Sequence, residues 1–200
     1  KLKDVVAFVR AVNTNNKAEL FILESFIDKG YLIASMDLNF DDQGKIKDNF
    51  KFKGYVKDGS INLLNKKKID DINFIFETKN KDLEIKDLNF SYEKINFQSK
   101  KIEANNKGKF TNIEGELDST EVSLSEDLLE DITNSFSKMN FENLKFSSKN
   151  KFSLKVDNKF KISDYEIKSL LNINELLVEN DINLKKIFPN SQPKISLKNH

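Results

Sequence analysis

Over residues 69–98 the chain reads IDDINFIFETKNKDLEIKDLNFSYEKINFQ. Within it Ile72, Phe74 and Phe76 alternate with Asn73, Ile75 and Glu77, and Leu88, Phe90 and Tyr92 alternate with Asn89, Ser91 and Glu93. A repeat of two is the spacing of a β-strand with one apolar and one wetted face. An α-helix, repeating about every 3.6 residues, would scatter the same side chains around its circumference. The stretch therefore reads as one-faced strands joined by polar turns.

The period extends in both directions. From Tyr31, the residues Leu32, Ala34, Met36, Leu38 and Phe40 share a face, and the turn DDQGK leads into Ile46, Phe50, Phe52 and Val56, as in a hairpin. VKDGS reads as the next turn, with short strands following over 61–64, 69–76, 83–90, 95–102, 109–117 and 121–124. Later strands are marked by Phe152, Leu154 and Val156, by Phe160 and Ile162, and by Tyr165, Ile167, Ser169, Leu171 and Ile173. Successive short strands with polar connections predict an antiparallel meander. The use of 17 Phe and only two Pro suits such a sheet.

Helical spacing occurs in two places. Val5, Val6, Val9 and Val12 fall near one helical face over residues 3–12, before the polar break NTNN. In SEDLLEDITNSFSKMN, Ser125 caps, Glu126, Asp127 and Glu130 favour the first turn, and Leu128, Leu129, Ile132, Phe136 and Met139 form a stripe, predicting a helix over 126–139. Residues 17–30, KAELFILESFIDKG, fit either a helix ending at Gly30 or a strand. NLKKIFPN reads as a short helical turn closed by Pro189.

The expected fold is thus mainly β with minor α, an antiparallel meander forming a curved, open, groove-like sheet with one apolar concave face. Residues 1–200 read as a single β-rich segment: a helical or mixed part at 1–30, the meander at 31–124, a helix at 125–140 and further strands at 141–200. The chain begins at Lys1 and stops in PKISLKNH, which looks like the opening of another strand, so it reads as a piece of a longer protein. No apolar run approaches the ~20 residues of a membrane span.

Residues suited to chemistry are scarce. The sole histidine is His200 and there is no cysteine, which removes His-based triads and thiolate sites. With 33 basic against 32 acidic residues, interleaved in sign, and Arg10 the only arginine, the chain lacks the field and the bidentate forks that nucleic acid requires. Asp37, Asn39 and Asp41 alternate as in a calcium loop. Counting from Asp37, however, puts Asp42 where Gly is needed, and counting from Asn39 puts Phe50 where the bidentate Glu belongs, so the segment reads as a turn.

The carboxylate pairs Asp70/Asp71 and Glu114/Glu116 arise freely in a chain with 32 Asp and Glu, and alternation sets the second pair on one solvated face. Lysines at 66–68 and 100–101 sit between strands, solvated or in reach of acidic headgroups. No GxGxxG, GxxxxGK[ST] or GxSxG motif occurs. The reading is a non-enzyme without catalytic residue, metal or cofactor.

The succession LNFDDQGKIKDNFKFKGYVKDGSINLLNKKKIDDINFIFETKNKDLEIKDLNFSYEKINFQSKKI resembles the repeating unit of AsmA-like proteins, the bacterial envelope family that includes the TamB and YhdP types. Gly54, Asp58, Gly59, Ile61, Leu63, Ile72, Phe74, Phe76, Leu83 and Ile85 match its cadence of strand pair, Asp-Gly turn and following strands, best over residues 31–124. The resemblance implies a fragment of a long periplasmic protein, anchored in the inner membrane by a helix outside this segment. Its open β-groove would carry phospholipids between inner and outer membranes. The 126–139 helix departs from the family pattern as an interruption of the meander.

On this reading the partners are phospholipid acyl chains, with no nucleic acid, and the lining is Phe50, Phe52, Ile72, Phe74, Phe76, Ile85, Leu88 and Phe90. A ten-residue strand is about 33 Å long, enough to shelter a lipid tail, and each buried CH₂ contributes ~0.8 kcal/mol. The alternative is a structural or adhesive β-domain whose apolar face is an ordinary closed core. A glycan hydrolase would need two inward carboxylates ~5–9 Å apart.

Overall fold

A computed structural model describes residues 1–12, 17–44, 47, 51–63, 67–79, 82–124, 140–157, 161–179 and 194–198. Among them two short helices, α1 (Leu2–Val12) and α2 (Lys17–Phe26), precede nine strands. These are β1 (Ile27–Asp37), β2 (Lys51–Asn62), β3 (Lys68–Lys79), β4 (Asp82–Tyr92), β5 (Ile95–Asn106), β6 (Phe110–Ser123), β7 (Asn140–Asp157), β8 (Ile162–Glu179) and β9 (Lys194–Lys198). They form one antiparallel sheet whose spatial order is the chain order and which does not close on itself. No described helix is long and apolar enough to cross a membrane. The chain divides into two compact units, residues 1–117 with 150–168, and residues 118–149 with 169–200.

In the first unit α1 and α2 are tied by the Arg10 guanidinium, which donates to Glu24 Oε2 at 2.7 Å and lies 5.6 Å from the Phe21 ring centre. Residues 17–30, which fit helix or strand, are both. The helix ends at Phe26 and β1 starts at Ile27, where pairing with Ile61 leaves the Ile27 side chain 5% exposed. The strand thus starts four residues before Tyr31, and it ends before Leu38 and Phe40. Gly30, at φ 136°, faces the extra residue of β2 between the pairs Lys29↔Ser60 and Tyr31↔Lys57, in a conformation that disfavours any Cβ.

VKDGS is not a turn. β2 runs through it, pairing with β3 at Val56↔Phe74 on one side and Ile61↔Ile69 on the other. Asp58 takes φ 52° and Gly59 packs so closely that a Cβ there would stand 3.1 Å from Ile72 Cβ, so the Asp-Gly pair serves a β-bulge instead. Likewise residues 109–117 and 121–124 merge into the single strand β6. The helix expected at 126–139, the turn at 183–190, and Ile46, Phe50 and Phe160 lie outside the described residues.

The bulge recurs at one level across neighbouring strands. Asp71 (φ 55°) in β3 and Asp87 (φ 50°) in β4 repeat the left-handed conformation of Asp58, which Asp tolerates better than most residues. Side-chain amides join the three. Asn73 accepts from the Asp58 backbone N–H at 3.0 Å, donates to the Asp71 carbonyl at 2.7 Å, and donates to Asn89 Oδ1 at 3.2 Å. Asn89 in turn donates to the Asp87 carbonyl at 3.4 Å. The tetrapeptides Asp71-Ile72-Asn73-Phe74 and Asp87-Leu88-Asn89-Phe90 carry the same device, which satisfies backbone groups that a bulge takes out of the ladder.

In the second unit the buried Ser119 and Ser148 hydroxyls are 2.8 Å apart, and Ser119 Oγ also accepts from the Ser148 backbone N–H at 3.1 Å. Val122 is buried, Lys145 pairs with Glu175 at 2.9 Å, and β8 meets β9 in the register Leu177↔Ser196.

Candidate functional site

Directly opposed residues of an antiparallel pair share a face, as do residues two apart along a strand. In the first unit the register links Phe52 to Thr78, Phe76 to Ile85, and Asn73 to Asn89. From these links Phe52, Ile72, Phe74, Phe76, Ile85, Leu88 and Phe90 all stand on one face of β2, β3 and β4. Phe50 lies outside the described residues. Ring centres of Phe52 and Phe76 are 5.1 Å apart and those of Phe74 and Phe76 6.3 Å, while Phe90 stacks on Phe97 of β5 at 5.2 Å. Such aromatic pairs add about 0.5–1.5 kcal/mol each beyond the area they bury.

The bulges make this shared face possible. Ile85 and Leu88 are three residues apart, and strict alternation would send them to opposite faces. Lys86 and Asp87 are both exposed between them, so the left-handed Asp87 absorbs one residue and restores the phase. The pair Asp70 and Asp71 does the same between Ile69 and Ile72, though there Asp70 is half-buried and bridged by Lys68 at 3.1 Å. Spacing alone carries no sign of this; the positive φ at an Asp two residues before an Asn is the signal.

Of the seven side chains only Phe76 is buried, at 7% exposure, and the other six are half-buried. Beside them Val56 is 5% exposed opposite Phe74. The reverse face is mixed. Ile33, Tyr55 and Ile75 are paired across β1, β2 and β3 and remain 58%, 40% and 48% exposed. A shallow depression of about 400 Å³ lies there, lined in part by Lys53, Glu77 and Lys86.

Charges on that reverse face pair with one another. Glu84 receives Lys86 at 2.5 Å and Lys101 at 2.9 Å, and Lys101 also reaches Glu103 at 2.8 Å. The hydrogen bonds from Lys86 and Lys101 hold the Glu84 carboxyl below its ordinary value, and those to Glu103 and Glu84 raise the Lys101 ammonium to about 12. These shifts follow from exposed ion pairing and keep each group in its ordinary charge state at neutral pH.

The carboxylate pairs and the Asp/Asn-rich turn have structural surroundings. Glu114 and Glu116 are exposed, the latter 2.8 Å from Lys151. Asp41 accepts from the Gln43 N–H through its side chain at 2.9 Å and from the Gly44 N–H through its carbonyl at 3.0 Å, which closes a turn. Among the described residues no cluster of three or more His, Cys, Asp or Glu is arranged to hold a metal ion. Comparison with protein-family models, with curated proteins and with solved structures finds no match to this chain.

Proposed function

We propose that this chain is a segment of a periplasmic lipid-transfer bridge of the AsmA-like kind, in which the face bearing Phe52, Phe74, Phe76 and Phe90 is the apolar concave lining of a groove for phospholipid acyl chains. One observation carries the reading: seven apolar side chains from three successive strands share a face of an unclosed sheet, kept in phase by aligned bulges, and six of the seven retain solvent exposure.

Acyl chains would lie along that face with headgroups at the open side, and no bond would be made or broken. Uniform apolar contact holds many lipids with little preference among them. The bulges, which raise local right-handed twist, would supply the curvature. The anchor to the inner membrane would lie in a region outside this segment.

The test is native mass spectrometry of the chain purified from bacterial envelopes. Bound phospholipid is the expected result, with Phe74→Asp lowering its occupancy while the chain stays folded by circular dichroism. A lipid-free chain in which Phe74→Asp unfolds the sheet would establish an ordinary closed core in place of a groove.

A further inference from the structure

The edge of the sheet at β1 has the composition of a pairing surface rather than of a protected edge. Among the described residues β1 pairs with β2 alone. Its stretch Gly30-Tyr31-Leu32-Ile33-Ala34-Ser35-Met36 carries no charge and no proline, and Tyr31, Ile33 and Met36 are 58%, 58% and 55% exposed. Edges that must stay single are blunted with inward charge, proline or shortness, and a neutral stretch within a strand of 11 residues is instead a template for another strand.

We propose that this edge takes a second copy of the same chain, β1 against β1 antiparallel about a two-fold axis at Ile33. Charge selects that register. Two exposed ions flank the neutral stretch, Lys29 at one end and Asp37 at the other. Turned antiparallel and centred on Ile33, each copy sets its Lys29 opposite Asp37 of the other, giving two opposite-charge pairs by symmetry.

Shifting the centre to Tyr31 sets Lys29 opposite Ile33 and loses both pairs, and a one-residue slip sets Leu32 against Ile33, mismatching the faces. The Ile33 centre also joins like surfaces. The reverse-face row Ile75, Tyr55, Ile33 continues directly into Ile33, Tyr55 and Ile75 of the partner. Of α1, Leu2 lies beside Gly30, at the start of the neutral stretch. The pairing is independent of lipid: it uses the edge and the reverse face, and it survives if the groove proposal fails.

The absence of cysteine makes the test direct. Opposed Cα atoms in an antiparallel pair lie about 4.5–5.5 Å apart, within disulfide range. Ile33→Cys should give a covalent dimer on mild oxidation, whereas Lys100→Cys, exposed on β5, should not. By analytical ultracentrifugation Lys29→Asp or Asp37→Lys alone should weaken dimerisation about tenfold, because two attractive pairs become repulsive. The double reversal should return it to within about threefold of the original.

Ile33→Lys, at an exposed position, should leave a folded monomer. A chain that stays monomeric up to about 100 μM, or a dimer insensitive to both single reversals, or one that the double reversal does not restore, would overturn the pairing.

Discussion

The side-chain amide of Asn73 donates to Asn89 Oδ1 at 3.2 Å, joining the bulges of two neighbouring strands. The same Asn73 serves Asp58 and Asp71, and through Asn89 it is linked to Asp87, so three left-handed aspartates are held in line. Asn73→Ala removes all three bonds at a partly exposed position and should lower unfolding stability by about 1–2 kcal/mol, read from urea midpoints. Asn73→Ser, which keeps one donor and one acceptor, should lose less.

Asp87 stands at φ 50°, where a β-branched residue is strained and glycine is not. Asp87→Gly should therefore be within about 0.5 kcal/mol of the parent or more stable, while Asp87→Val should lose about 1–2 kcal/mol. Equal losses for the two would remove backbone conformation as the reason for Asp here.

A Cβ on Gly54 would stand 2.2 Å from the Ile33 carbonyl oxygen and 2.8 Å from Ala34 Cα. Gly54→Ala should force β1 away from β2 and cost about 1–3 kcal/mol, with faster amide exchange at Leu32 to Ser35 as the local sign.

Phe76 and Ile75 are neighbours in sequence on opposite faces, 7% and 48% exposed. Phe76→Ala should cost about 3–5 kcal/mol, and Ile75→Ala less than about 1 kcal/mol. Thermal unfolding of the two variants separates the faces without reference to any ligand.

The Glu84, Lys86, Lys101 and Glu103 pairs should appear at the pH extremes. Glu84 is held below 4.5 in the folded chain, so its contribution is complete above that value and is lost as pH falls through the depressed one. Lys101 is raised from 10.5 to about 12, so its contribution is complete below 10.5 and is lost as pH rises through about 12. Glu84→Gln should flatten both limbs of the stability profile, and salt should shrink the difference at neutral pH.

Period two reads the strands β3 to β5 and the pairing of β1 with β2, though not the ends of those two strands, because each alternation there spans several residues. It failed at VKDGS, where Asp-Gly chemistry suits a hairpin turn and a left-handed bulge equally, and only the ladder pairs Val56↔Phe74 and Ile61↔Ile69 decide between them. It was also ambiguous over 17–30, where helix and strand meet at Phe26 and Ile27 with no Gly or Pro between. The lining expected from the sequence holds both Ile85 and Leu88, but their odd spacing carries no reason for it: it becomes in-phase only when a bulge supplies the extra residue.

The lipid groove is tested most directly by photo-crosslinking in bacterial envelopes, with a photoreactive residue placed singly at Phe74, Phe90, Ile75 or Tyr55. Phospholipid adducts at Phe74 and Phe90, with none or few at Ile75 and Tyr55 on the reverse face, are the predicted result. Adducts of equal yield on both faces, or absent from Phe74 and Phe90, would contradict it.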